Sequence, residues 1–136
     1  MFILEVNWIA IFVAAVINVI IGVAWYSPTI LGKQWKQLVE QSSRKKVADY
    51  SSGKMLINAL TALVLSIVVS ILTKTVGATT IKEGVIVGLV LWVGFVATTA
   101  LSDYMASNRP IKLYLINSGY YLVSIVVMSA ILAAWI

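Results

Sequence analysis

The sequence predicts an all-α membrane protein, a four-transmembrane-helix antiparallel bundle with a short amphipathic interfacial helix between helices 1 and 2. Three observations carry that fold class. Hydrophobic residues make up 61% of the 136 residues and charged residues only 11%, against about 25% charged in an average soluble domain. A soluble domain of this length would have to expose large apolar patches. Four apolar runs, at about 6–26, 55–75, 81–104 and 111–135, each have roughly the 20 residues that cross about 30 Å of hydrocarbon. Charge gathers between these runs, above all in the loop 28–54. Residues 1–136 form a single integral membrane domain.

The first run has no basic leader and no small-residue cleavage site before Trp25-Tyr26, so it reads as a retained helix. Asn7, Ala14, Ala15, Asn18, Gly22, Trp25 and Tyr26 recur at steps of three and four, which sets them along one stripe expected to face other helices. The run ends at Ala24-Trp25-Tyr26-Ser27-Pro28. Trp and Tyr favour the membrane–water interface, and Pro28 forbids further helix, so Ser27 is the expected terminus.

In the loop, Trp35, Leu38 and Val39 fall on one side of a helical pattern, with Lys33, Lys36, Gln37 and Glu40 on the other. Such a helix can lie in the headgroup region. Arg44-Lys45-Lys46 suits anionic headgroups, although a solvated loop that only sets topology is the plainer reading. Trp25, Tyr26, Lys33, Trp35, Lys36, Arg44, Lys45 and Lys46 are the expected headgroup and interface residues. Ser51 or Ser52 can cap the second span.

Asn58, Ala62, Ser66 and Ser70 repeat every four residues along that span, a small and polar seam. Gly77-Ala78-Thr79-Thr80 makes a turn flanked by Lys74 and Lys82. In the third run Gly84 and Gly88 permit close backbone approach, and at a period of 3.6 residues Phe95, Thr99 and Asp103 continue their face. Asn108-Arg109-Pro110 forms a tight loop into the fourth run, which carries Asn117, Tyr120, Tyr121, Ser124 and Met128. Gly22, Ser66, Ser70, Gly84 and Gly88 are the expected helix-packing residues. These seams exceed what four helices need, which predicts a homo-oligomer, with another membrane protein and membrane lipids as further partners.

The first and third loops hold Lys33, Lys36, Arg44, Lys45, Lys46, Lys54, Arg109 and Lys112, whereas the other side has Lys74 and Lys82. The positive-inside rule then places the loop 28–54 in the cytoplasm and both termini outside the cell membrane. The same placement accounts for the net charge of +5 without nucleic acid.

The chain has no cysteine and no histidine, which excludes disulfides, Cys/His metal sites, thiol nucleophiles and Ser-His-Asp catalysis. Glu5, Glu40, Asp49, Glu83 and Asp103 are too scattered to suggest a carboxylate pair. No enzyme, metal or cofactor is expected. A polar side chain in hydrocarbon must find a partner, so Asn18, Asn58 and Asn117 should point inward. As interhelical glue they are worth about 0.5–2 kcal/mol each. Alternatively, Asn18, Asn58, Thr98, Thr99, Asp103, Asn117 and Tyr121 line a cytoplasm-facing polar crevice with Asp103 and Arg109 at its mouth. The glue reading is preferred, and Asp103 is read as a helix-end acid paired with Arg109 or Lys112. No ionisable residue sits at mid-membrane, where ion-coupled transporters keep one. Small multidrug exporters couple through a carboxylate within the first helix, and Glu5 at its outer end is a poor match. Trp25, Tyr26, Tyr104, Tyr114 and Trp135 are expected as interfacial anchors.

Three stretches, in order, carry a resemblance: Ala24-Trp25-Tyr26-Ser27-Pro28 with Gly32-Lys33 and Trp35; Leu91-Trp92-Val93-Gly94-Phe95 with Thr98-Thr99; and Leu115-Ile116-Asn117-Ser118-Gly119-Tyr120. On these the chain resembles the DUF 1761 family, a domain of unknown function, over essentially its whole length. The family pattern has an Asn near Ser102-Asp103, where this chain differs. The resemblance implies a small prokaryotic four-helix integral membrane protein and no established activity. The expected function is that of a non-enzymatic structural or accessory membrane protein that self-associates, with a small channel or transporter around Asn18, Asn58, Thr99 and Asn117 as the alternative.

Overall fold

The computed structural model describes residues 6–27, 30–43 and 52–135. Helix α1 runs Trp8–Trp25, α2 Gly32–Ser43 and α3 Ser52–Thr75; α4 runs Ile81–Leu91, continues through a π-helical turn at Trp92–Ala97 into α5, Thr98–Ala106, and α6 runs Ile111–Ala134. Helix α1, helix α3, the continuous rod α4–α5 and helix α6 are long and apolar enough to cross a membrane, and are called spans one to four. The chain is an all-α membrane bundle. Arg44, Lys45 and Lys46 lie outside the described residues, as does Pro28.

Local chemistry sets the helix ends. Asn7 is the N-cap of α1, its Oδ1 accepting from the amides of Ile9 at 3.0 Å and Ala10 at 3.1 Å. That cap, rather than a helix–helix contact, is the work of a residue the periodicity put in the seam. Thr80 caps the start of α4: its Oγ1 accepts from the amide of Glu83 at 3.1 Å, satisfying one amide that a helix start otherwise leaves bare, and its hydroxyl donates to Oε1 of Glu83 at 3.0 Å. Between α1 and α2 the turn is tight: the amide of Gly32 donates to the carbonyl of Ser27 at 2.8 Å. A Cβ at Gly32 would fall 2.2 Å from the carbonyl oxygen of Tyr26, so only glycine fits.

Span four is the axis of the bundle and the most buried of the four, and span three the least. Spans one and two pack on one another and on α6, while α4 packs on another side of α6. Two cores result. One, away from α2, gathers Val6, Ala10, Ile11, Ala14, Val69, Met128 and Leu132. The other, at the end carrying most of the basic residues, gathers Tyr104, Leu113 and Tyr114 with Trp35, Leu38, Val39 and Ala100 around them. The amphipathic helix therefore turns its apolar side onto the ends of spans three and four, not into lipid.

The expected packing residues all lie at contacts within one chain. Added Cβ atoms at Gly84 and Gly88 would meet the Ser129 carbonyl oxygen and the Ser129 hydroxyl, each at 2.4 Å. Ser66 is fully buried and donates to the carbonyl of Ile11 at 2.7 Å, joining span two to span one. Ser70 is buried, and Gly22 lies under the ring of Tyr120. These five residues therefore serve packing between helices of one chain.

Span three departs from a single helical period. Gly84 and Gly88 face α6, but Phe95, Thr99 and Asp103 are exposed and do not continue that face. The inward positions are Gly84, Gly88, Trp92, Ala97, Ala100 and Tyr104, with a step of five at the π turn. A π turn accommodates one extra residue, which shifts every later position by about 100°.

Candidate functional site

The polar and aromatic residues collect between spans one, three and four at the basic end. Two glycines make this possible. Tyr120 of span four lies over Gly22 of span one, its hydroxyl 3.2 Å from where a Cβ would stand; Trp25 of span one lies over Gly119 of span four, at 3.1 Å. Each helix lacks a side chain where the other inserts a ring. The seated rings then bond: Trp25 Nε1 donates to the carbonyl of Ile116 at 2.9 Å, and the Tyr120 hydroxyl to Oδ1 of Asn18 at 2.8 Å. Ser124 donates to the same Oδ1.

Asn117 is the second node. Its Oδ1 accepts from the Tyr26 hydroxyl at 2.7 Å, and its Nδ2 donates to the Tyr104 hydroxyl at 2.6 Å. One amide thus joins the end of span one, the end of span three and the second turn of span four. Tyr26 also meets Tyr120 and Trp35 edge to face, with centroids 5.5 and 5.4 Å apart. These are geometries that ring quadrupoles favour. The chain of contacts reaches the surface through Arg109, whose guanidinium stacks 3.9 Å from the centroid of Tyr104 and pairs with Asp103. Arg109, not Lys112, is therefore the partner of Asp103.

Of the seven candidate crevice residues, Asn18 and Asn117 lie in this network. Tyr121 borders it, half-exposed, with its ring 5.0 Å from that of Tyr120, and Asp103 sits at its rim. The other three are elsewhere. Thr98 and Thr99 are exposed and donate to carbonyls of their own helix, Gly94 and Phe95. Asn58 is half-buried in span two, and no hydrogen bond joins its side chain to the network. The π turn explains Thr99, because it rotates that residue away from span four.

Of the aromatics expected at the interface, Trp25, Tyr26, Trp35, Tyr104 and Tyr114 have partners within the protein. Trp25 and Tyr26 are bonded as described, and Trp35 packs on the basic-end core. Tyr104 and Tyr114 are buried, Tyr114 donating to the carbonyl of Ala97 at 2.9 Å. Trp135 remains exposed, whereas Lys33 and Lys36 point outward on α2. The ring-over-glycine pairs and the bond from Trp92 Nε1 to the carbonyl of Ser118, 2.8 Å, were not anticipated from sequence. Gly22 one helical turn before Trp25 on one helix, and Gly119 next to Tyr120 on its partner, is the signal that could have marked the first.

Among the described residues, no three acidic, His or Cys side chains come close enough to hold a metal ion. The surface grooves are apolar: one is lined by Val13, Ile17, Ile81, Ala130, Ile131, Ala134 and Trp135, another by Leu89, Val90, Val93 and Gly94.

With this arrangement of spans and network in hand, the comparison with known families is informative. Residues 9–133 match the model of a family described as protein of unknown function, DUF1761. The chain belongs to that family. Comparisons with curated proteins and with solved structures gave no match. As a DUF1761 member with four helices apolar enough to span the bilayer, it is a multi-pass membrane protein.

Proposed function

We propose that this DUF1761 protein is a non-enzymatic component of the cytoplasmic membrane that works by associating with other membrane-embedded chains, its own copies included. It sits with the loop 28–54 in the cytoplasm and both termini outside, since eight of the ten Lys and Arg residues lie on the loop side and cytoplasmic loops carry such an excess. The observation that carries this reading is the state of the intramembrane amides. Asn18 and Asn117 hold tyrosine hydroxyls across helices, and side chains used as interhelical bonds are unavailable to a passing solute. The two grooves described above are apolar, which suits acyl chains or another helix rather than a hydrated ion. Span three, the least buried, offers the widest free side for association.

A second reading, a small channel or transporter, draws on one observation. Asn58 is half-buried near the start of span two, and its amide makes no hydrogen bond in the structure; water reaching it would mark a crevice.

Because the chain lacks cysteine, single cysteines at 18, 58, 99 and 117, with Lys45→Cys as the topology control, decide between the two. In oriented vesicles, labelling of position 45 alone by a membrane-impermeant thiol reagent from the cytoplasmic face is the expected result. Labelling at 18 and 117 would favour a conduit, and labelling of 45 from the outer face would invert the topology. A mass measurement in mild detergent that finds only monomer, with nothing co-purified, would overturn the association reading.

A further inference from the structure

We infer that the end of the molecule capped by α2 is a docking surface for anionic phospholipid headgroups, with Lys33 and Lys36 of α2 and Lys112 of α6 as its principal contacts. The inference rests on the fold and the charge placement, and stands whether or not the protein associates with other chains.

Charge complementarity is the first argument. Among the described residues, Lys33, Lys36, Lys54, Arg109 and Lys112 against Glu40 and Asp103 leave the end that carries α2 at +3, whereas Lys74 and Lys82 against Glu83 leave the far end at +1. Anionic lipid attracts basic residues close to the membrane surface, and the attraction fades within a Debye length. The ends of four spans place these lysines at that level.

The second argument comes from the packing of α2. A surface helix ordinarily holds to a bilayer by sinking its apolar face among acyl chains. Here Trp35, Leu38 and Val39 are engaged with Tyr104, Leu113 and Tyr114, so that mode of binding is closed. What α2 presents outward is Lys33, Gln34, Lys36 and Gln37, all exposed. Lys33 and Lys36 are one turn apart on the helix and so share a side. Lys36 adjoins Trp35 and Lys112 adjoins Leu113, two members of one apolar cluster, so both flank the same contact. Arg109 is engaged by Asp103, whereas Lys33, Lys36 and Lys112 form no ion pair with any described residue. The bundle therefore holds the three cations at the headgroup layer on a fixed scaffold.

The full chain in a neutral mild detergent tests this by thermal unfolding during titration with phosphatidylglycerol, phosphatidylcholine or inorganic phosphate. Phosphatidylglycerol should raise the midpoint, with an effect that weakens as salt rises; phosphatidylcholine and inorganic phosphate should not. The triple variant Lys33→Gln, Lys36→Gln, Lys112→Gln should need at least about tenfold more phosphatidylglycerol for the same rise, given roughly fivefold per basic residue near an anionic surface. The control pair Lys74→Gln, Lys82→Gln should respond as the parent does. An undiminished response in the triple variant overturns the proposal. So does an equal loss in the control pair, or equal stabilisation by phosphatidylcholine. Equal stabilisation by inorganic phosphate would assign the lysines to a soluble anion instead. Retention of an acidic protein or nucleic acid in place of lipid on the parent protein would likewise overturn it.

Discussion

The two ends of the bundle are held together by different physics. Away from α2, spans three and four touch almost backbone to backbone at Gly84 and Gly88, beside an apolar core of alanine, valine, isoleucine, leucine and methionine. At the basic end the helices stand further apart, and the space is filled by rings whose hydroxyl and indole groups bond across it. In lipid, where apolar contact with a neighbouring helix gains little over contact with acyl chains, close packing and interhelical hydrogen bonds are the two remaining sources of association. Spans three and four rely on the first away from α2, where Ser66 adds one hydrogen bond between spans two and one, and the basic end relies on the second. Steric closeness tolerates no added atom; a bonded network tolerates atoms but not a lost partner.

That contrast sets the order of expected effects. The largest is Gly84→Leu, whose Cβ would fall 2.4 Å from the Ser129 carbonyl oxygen and 2.7 Å from the Cα of Ala130. Backbone cannot yield as a side chain does, so a loss of about 3 kcal/mol or more is expected, read as a large drop in unfolding midpoint or as absence of folded protein. A near-parental midpoint would show that the two ends do not differ as described.

Next comes Asn117→Leu, which leaves the Tyr26 and Tyr104 hydroxyls without their shared partner and should cost about 1–2 kcal/mol. Adding Tyr26→Phe and Tyr104→Phe to that variant should cost less than the separate effects sum to, because the orphaned hydroxyls go too. Full additivity would mean that the amide and the tyrosines do not act as a unit.

Trp35→Ala should act locally. The bundle's midpoint should move little, while cleavage of the loop 28–54 by a protease added to the face that carries the loop speeds up as α2 loosens from Leu113 and Tyr114. The smallest effect is expected for Asp103→Asn. Its ion pair with Arg109 is solvent-exposed, with 66% of the Asp103 side chain accessible, and such pairs contribute about 0.2–1 kcal/mol.

The four spans and the loop helix were legible in the sequence because both signals are local: apolar runs of bilayer length, and a three-to-four-residue alternation at Trp35, Leu38 and Val39. The partners inside the bundle were not. Asn117 meets Tyr26 across 91 residues and Asn18 meets Ser124 across 106, and no local pattern states such a pairing. Asn18 and Asn117 were recognisable as inward-facing because hydrocarbon forbids a bare amide. Thr99 is assigned to the same space by a uniform 3.6-residue period, which the π turn breaks. Trp25 carries the composition of an interfacial anchor, and only Gly119 on the facing helix reveals that its ring has a seat within the bundle.

The π turn also separates two kinds of tolerance that are usually treated as one. Val93, Gly94 and Phe95 are exposed, and nothing lies within 4 Å of a Cβ built on Gly94, so exchanging one apolar side chain for another there should be almost silent. Chain length at the same place is a different matter. Deleting one residue between Val93 and Val96 would restore an unbroken α-helix and make the segment locally more regular. It would also turn the remainder of the span by about 100° relative to the part already seated on Gly84 and Gly88. Tyr104 and Ala100 would swing to the outside, and Asn117 and Arg109 would lose the ring between them. The segment thus works as a spacer whose length is constrained while its spelling is free. A substitution scan would therefore pass over it, and a deletion scan would find it at once.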